Sequence, residues 1–222
     1  MPTTTRRKHF IPMAIQYFLR QDYAHAELLI LDDSDGSIKE WVPEVSNIHY
    51  IHHRKRFATI GDKRNYACSM ATGDIIMHWD DDDWYAPDWI TRQVHALQDD
   101  AEICGLRELF FYQPGHKYCW QYAYQMDTRA WVAGATLAYR RGVWEQNPFI
   151  SANVGEDNHL VWFSGAKVQC TGYKNGFVSI LHADNTSPKY VHDKQWQRMP
   201  LEIIAAIIGA DYDQYACHHE PQ

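Results

Sequence analysis

The chain reads as an α/β domain built on a mixed, mostly parallel sheet flanked by helices, and three features of the sequence predict this. Short apolar runs of strand length, ELLIL at 27–31 and DIIMHW at 74–79, alternate with segments of helical periodicity. Both runs are apolar almost throughout, as strands buried on both faces are. Each leads directly into aspartates, Asp32 to Asp35 and Asp80 to Asp83, and open α/β sheets place their ligands outside the carboxyl ends of the strands.

Residues 9–21 carry Phe10, Ala14, Tyr17 and Phe18 at helical spacing, and Pro12 is tolerable there only in the first turn. The strand at 27–31 stops at a run of turn formers, 32–36. Residues 48–51 form a second strand, followed by a basic, glycine-containing loop at 53–63 and a helix at 64–71. The strand at 74–79 precedes a helix opened by Pro87, with Ile90, Val94 and Leu97 on one face. Residues 102–112 and 117–124 read as two strands joined across Pro114-Gly115. Further strands are predicted at 133–139 and 177–181, and a short helix at 156–163. A terminal helix over 193–209 presents Trp196, Leu201, Ile203, Ile204, Ile207 and Ile208 for docking on the domain or for pairing with a second copy as a homodimer. No repeat, low-complexity segment or linker interrupts the chain, so a single domain is expected.

Composition narrows the function classes. The 222 residues, 45% hydrophobic with a mean hydropathy of −0.51, exclude wholesale disorder. No apolar run reaches the ~18–20 residues of a membrane span, and no signal segment opens the chain, so a cytoplasmic protein is expected. With 21 Lys and Arg against 28 Asp and Glu, the net charge of −7 argues against a nucleic-acid binder. Five cysteines, odd in number and without a CxxC pair, argue against a disulfide framework or a structural zinc site. Nine Trp and 14 Tyr are many for this length. Of these, Trp120, Tyr122, Tyr124, Trp131 and Trp144 are candidates for lining a groove or for ordinary core packing.

The run Asp80-Asp81-Asp82-Asp83 is the sharpest signal. Two carboxylates ~5 Å apart repel by about 0.8 kcal/mol in bulk water and about 3 kcal/mol at an effective dielectric near 20. Four in a row, bracketed by Trp79, Trp84 and Tyr85, suit a site for a hard divalent cation, the alternative being a solvated acidic loop. Gly155-Glu156-Asp157 is a second acidic site, or an ordinary helix start where carboxylates favour the dipole. Lys63 and Arg64 place two cations at a helix start, functional or merely solvated. His182, at a strand end before Asp184-Asn185-Thr186, is either a metal ligand or structural.

Taken in order, PTTTRRKHF, ELLILDDSDG, GDKRNYACSMATGDIIMHWDDDDWYAP, VAGATLAYRR and VGEDNHLVW resemble the family 2 inverting glycosyltransferases of the GT-A fold. The resemblance covers about residues 1–190, leaving 191–222 as a C-terminal helix and tail. It implies a metal-dependent, inverting transfer of a sugar from a nucleotide-diphosphate sugar, a UDP-sugar above all, to a carbohydrate or other hydroxyl acceptor. Asp33 would bind the nucleotide base, Thr3 would line the same pocket, and Lys63, Arg64 and Asp81 would lie near the nucleotide. Asp80 and Asp82 match the family's D-x-D. Asp82 would hold Mn²⁺ or Mg²⁺ and Asp80 would support the ribose or the metal. His182 stands where some members supply an extra metal ligand. Asp157 matches the catalytic base, with Glu156 beside it. The family normally has an apolar first strand before a P-T-x-N-R loop. Here Met1 directly precedes Pro2 and Thr5 replaces the Asn, so a shortened first strand is expected. Two other readings stand beside this one. A nucleotidyltransferase would want a glycine-rich phosphate loop, which Thr3 to Lys8 lacks. A non-catalytic sugar-nucleotide-binding module would be expected to have lost Asp157 or part of the acidic run.

Overall fold

The computed structural model describes residues 1–125, 129–185, 189 and 191–217, so Thr186 and the tail at 218–222 lie outside the described residues. The first half contains β1 (Pro2–Thr3), α1 (Ile11–Leu19), β2 (Leu28–Asp32), β3 (Ile48–His52), α2 (Ile60–Met70), β4 (Ile75–Met77), β5 (Trp84–Tyr85) and α3 (Trp89–Ala96). The second contains β6 (Ile103–Leu106), β7 (Glu108–Gln113), β8 (Tyr118–Ala123), β9 (Ala138–Arg140), α4 (Arg141–Gln146) and α5 (Glu156–Phe163). It closes with β10 (Val168–Thr171), β11 (Phe177–Ile180), β12 (Trp196–Met199), α6 (Leu201–Ile208) and α7 (Tyr212–Cys217).

The expected mixed α/β architecture is present. β1, β2 and β3 form a parallel sheet with β2 in the centre. Leu28, Ile30 and Leu31 are all buried, which is why the run at 27–31 shows no polar alternation. A second sheet runs β10-β6-β9-β4 and a third β12-β8-β7-β11-β5, each mixing parallel and antiparallel neighbours. The β7–β8 hairpin closes through Pro114–His116, where Lys117 takes the left-handed conformation at φ 51°.

Several boundaries differ from the sequence reading. α2 starts at Ile60, four residues early, because Thr59 caps it: its hydroxyl accepts the Asp62 N–H at 3.1 Å and donates to the Asp62 carboxylate at 2.7 Å. Lys63 is therefore inside a helix, not in a loop. The run at 102–112 breaks at Arg107, where the chain leaves the second sheet for the third. The strand expected at 133–139 is a 3₁₀ turn, Gly134–Thr136, followed by β9. The terminal helix expected over 193–209 is shorter. Residues Trp196–Met199 pair antiparallel with β8, and the helix starts only at Leu201, after Pro200. β5, α4 and β10 were not foreseen, being two to six residues long with too few positions to show a period.

The aromatic bracket of the acidic run belongs to the core. Trp79 and Tyr85 stack with ring centroids 3.8 Å apart, and Tyr85 meets Phe177 edge-on at 5.3 Å. The Tyr85 hydroxyl in turn accepts the Asp80 N–H at 2.7 Å, so the packed ring fixes where the acidic loop begins. The C-terminal helices dock on the same core. Ile204 and Ile208 are buried, Asp211 accepts from Trp84 Nε1 at 2.9 Å and pairs with Arg20, and the Tyr215 hydroxyl lies 3.0 Å from that of Tyr17.

β1 is only two residues long, and its register matches Pro2 with Leu31 and Thr3 with Asp32. Ahead of it, β2 and β4 flank a trench of about 560 Å³ walled by Leu28, Cys68, Ile76, Trp79 and Val94. An apolar strand of four residues added before Met1 would gain main-chain partners and bury side chains there, each worth ~1.5–3 kcal/mol before ordering costs. Such an extension is expected to raise the melting temperature, by roughly 2–4 °C for each net kcal/mol. An unchanged transition in differential scanning calorimetry would show that the trench does not accept a strand.

Candidate active site

Four segments converge at the carboxyl ends of β1 and β4: the loop after β1, the first turn of α2, the acidic loop after β4, and the start of α5. Together with the Gly134–Thr136 turn they enclose a cavity of about 560 Å³. Thr3, Lys63, Arg64, Asp80, Asp81, Asp82, Glu156 and Asp157 all line it. Among the candidate site residues, Asp33 and His182 are not part of this lining, and His182 lines a groove beside it.

The acidic loop is not a solvated turn, since Asp81, Asp82 and Asp83 are buried. Its compensation is built from protein groups. Asp81 accepts from the Thr3 hydroxyl at 2.6 Å and from Arg7 Nε at 2.8 Å. Arg7 Nη2 also reaches Asp81 at 2.6 Å and Asp82 at 2.5 Å. Asp82 Oδ2 further lies 2.8 Å from His182 Nε2 and accepts from Asn185 Nδ2 at 3.0 Å. Asp83 accepts the Ile180 N–H at 2.9 Å, tying the loop to β11.

These partners separate the four carboxyls. Burial raises Asp80 and Asp81 above the usual carboxylate range, against the pull of Arg64 and Arg7 respectively. Burial raises Asp83 much further, with Asp82 and Asp80 adding repulsion. Asp82 alone is held low: burial opposes its charge, but His182 and Arg7 outweigh it. Of the four, Asp82 is thus the carboxyl whose surroundings favour the ionised form most.

On the opposite wall, Lys63 Nζ donates to the Thr3 carbonyl at 2.6 Å and to Asp33 at 2.5 Å. Burial lowers the Lys63 amine, and Asp33 works against that. The other Asp33 oxygen accepts the Phe57 N–H at 3.0 Å, so Asp33 anchors both the lysine and the 53–59 loop. Arg64 pairs with Glu156, whose carboxyl is raised by burial despite that pair, with Asp157 adding repulsion.

Asp157 sits in the first turn of α5, after Gly155 at φ 82°, a left-handed position that glycine adopts without cost. Its Oδ1 accepts the Asn158 N–H at 2.7 Å. Its Oδ2 lies so close to Gly134 that a Cβ there would come within 1.8 Å of it. The Gly134 carbonyl meets His78 Nδ1 at 2.6 Å, and because a carbonyl can only accept, Nδ1 carries the proton. Burial, then Arg64, holds the His78 imidazole well below its usual value, so it is neutral.

Of the aromatic candidates, Tyr122 and Trp131 line the cavity. Trp131 Nε1 donates to Asn158 at 2.8 Å, and its ring stacks on Tyr124 at 4.8 Å. Trp120 lies further along β8. Trp144 is placed elsewhere, donating to Asn65 at 2.9 Å beside a second core cluster. Arg7, His78, Gly134 and Asn185 are site residues that the sequence reading missed. Arg7 follows Thr3 by one tight turn (Thr5–Arg7), a spacing visible only once that 3₁₀ turn is known.

Residues 1–147 match the model of glycosyl transferase family 2, so the chain belongs to that family. It is 36% identical over 92 residues to WcaA of Escherichia coli (strain K12), a glycosyl transferase assigned to colanic acid biosynthesis; the match covers 39% of this chain and 32% of that protein. The chain thus spans about a third of the length of this relative. Among solved structures it resembles S. aureus TarS 1–349 in complex with UDP-GlcNAc, with TM-score 0.60, 14% identity, and coverage of 97% of this chain and 68% of TarS. It also resembles GalNAc-T7 with UDP, GalNAc and Mn²⁺, with TM-score 0.56, 15% identity, and coverage of 90% and 46%. At these identities the likeness establishes the GT-A fold. Among the described residues no helix is long and apolar enough to cross a membrane, and no three His, Cys, Asp or Glu side chains converge as a metal cluster.

Proposed function

We propose that this glycosyltransferase moves a sugar from a nucleoside-diphosphate sugar to an acceptor hydroxyl with inversion at the anomeric carbon, assisted by a divalent cation. The observation that carries this reading is the placement of the acidic loop and Asp157 in one cavity, with three cations, Arg7, Lys63 and Arg64, on its walls. UDP in TarS and GalNAc-T7, and Mn²⁺ in the latter, support the same donor class and cation here.

The residues fit a hard cation. Asp82 Oδ2 and His182 Nε2 are 2.8 Å apart, close to the ~3 Å between neighbouring ligands of an octahedron with ~2.1 Å bonds. Two protein ligands suffice where diphosphate oxygens supply others. Bound there, a divalent cation would offset the charge gathering on the leaving diphosphate. Arg7 and Arg64 offer N–H donors to the same phosphates. Asp157 takes the acceptor's proton as its oxygen attacks the anomeric carbon and the bond from that carbon to the diphosphate oxygen breaks. The single displacement leaves the sugar inverted and needs no covalent intermediate. Glu156, committed to Arg64, holds the helix start in place.

Incubation with a panel of labelled nucleotide sugars and Mn²⁺ or Mg²⁺ tests the reading by following nucleotide release and transfer to sugar acceptors. Release of pyrophosphate from a nucleoside triphosphate and a sugar phosphate would instead mark a nucleotidyltransferase. Binding without turnover of any donor would mark a binding module. Asp82→Asn should weaken Mn²⁺-dependent UDP binding about tenfold or more, a loss of ~1.4 kcal/mol. The fold should persist, because Arg7 keeps Asp81 as a partner. Unchanged Mn²⁺-dependent binding in calorimetry would remove Asp82 from the cation site.

A further inference from the structure

A second groove of about 730 Å³ opens beside the cavity and shares Leu181, Asn185, Lys189 and Trp196 with it. Its floor is a cross-strand ladder. Tyr118, Trp120 and Tyr122 alternate along β8 on one face, and the antiparallel register sets Trp196 opposite Tyr122 and Arg198 opposite Trp120. The contacts follow that register. Trp196 meets Tyr122 at 5.1 Å, and the Arg198 guanidinium lies 3.6 Å from the Tyr118 ring centroid and 5.4 Å from that of Trp120. From Tyr122 to Tyr118 the strip runs roughly 14 Å outward from the cavity, at about 3.4 Å per residue.

Charge is distributed unusually here. The chain carries a net −7, yet among the described residues no Asp or Glu lines this groove, whereas His116, His182, Lys189, His192 and Arg198 do, Lys189 at the end shared with the cavity. Arg198 is exposed and, among the described residues, no carboxylate pairs with it. Placed over the Tyr118 ring and exposed, its guanidinium can offer N–H donors to an approaching carboxylate or phosphate. The aromatic faces beside it suit sugar rings.

We infer that this groove is the acceptor subsite and that it takes an anionic oligosaccharide, with sugar rings along the Trp196–Tyr118 strip and a carboxylate or phosphate on Arg198. Calling the ligand the acceptor rests on the transferase reading above, whereas its chemical class rests on the groove alone. The neutral ladder explains a sugar platform, and the acid-free rim explains selection for negative charge.

Three probes test this by calorimetry or saturation-transfer NMR: a neutral β-linked glucose disaccharide, the same disaccharide with its terminal C6 oxidised to a carboxylate, and the same disaccharide phosphorylated at that C6. At low ionic strength at least one anionic form is expected to bind roughly 3- to 10-fold more tightly than the neutral one. The preference should shrink as salt is added. Which anionic form binds tighter distinguishes a uronate from a phosphate acceptor. Arg198→Gln should abolish the preference while retaining the neutral probe's affinity, and Arg198→Lys, which keeps the charge without the planar fork, should retain part of it. Equal binding of all three probes, binding of none, or a preference that survives in Arg198→Gln would overturn the inference. UDP binding measured in parallel reads the donor cavity separately. Loss of UDP binding with anionic selectivity intact would count against the transferase reading and not against this groove.

Discussion

Asp157→Asn is expected to leave UDP affinity close to that of the parent chain and to slow sugar transfer by at least ~10²-fold, the lower end of what a lost general base costs. The carboxylate lies in the first turn of α5 and faces the cavity beside Gly134. The substitution preserves size and an oxygen able to accept the Asn158 N–H, but the amide cannot take a proton. The groups expected to hold the diphosphate, Arg7, Arg64 and the acidic loop, are left untouched. Glu156 is the rival base by sequence, but it is buried and paired with Arg64, so its carboxylate is already committed. Turnover equal to that of the parent chain, at saturating donor and acceptor, would take Asp157 out of the mechanism and return the role to Glu156.

The sequence carried the parts of this site that sit on long, strongly patterned elements. The runs at 27–31 and 74–79 announced buried strands, and the aspartates that end them fall where the cavity forms. What it did not carry is how those charges are satisfied. Repulsion among four adjacent carboxylates argued for a bound cation, yet Arg7, His182 and Asn185 already neutralise or hydrogen-bond two of them. Arg7 is separated from Asp81 by 74 residues, and no local pattern reports such a contact. Asp33, expected on the base, has Lys63 and Phe57 as its partners within the protein, contacts that the sequence did not report because α2 begins four residues early and turns Lys63 inward.

Apolar spacing misled the reading at the C-terminal segment for a related reason. Trp196 falls at a helical interval from the isoleucines of α6, but Pro200 separates them and the preceding four residues extend the third sheet. That strand supplies Trp196 to the cavity wall and Arg198 to the adjoining groove. The segment read as a C-terminal helix and tail therefore contributes to the cavity wall. A pattern based on one period cannot distinguish a helix turn from an edge strand when only four residues are involved.

Gly134→Ala should reproduce the Asp157 defect without altering any titratable group. The added Cβ would stand 1.8 Å from Asp157 Oδ2, 2.7 Å from its Cγ and 3.1 Å from its Cβ, so either the carboxylate or the turn must move. The turn is the better anchored of the two. His78 Nδ1 donates to the Gly134 carbonyl at 2.6 Å, while the Thr136 hydroxyl accepts the Leu106 N–H at 2.9 Å and donates to the Ala133 carbonyl at 2.8 Å. Asp157, held mainly by one N–H of its own helix, is the group that yields. A displacement of about 1 Å at a reacting group costs on the order of 10²-fold, so transfer should fall by about that factor while UDP binding persists. Because both substitutions disable the same group, Gly134→Ala combined with Asp157→Asn should lose little more than Asp157→Asn alone. Transfer by Gly134→Ala at the parent rate, or losses that multiply in the double variant, would show that Gly134 does not act through Asp157.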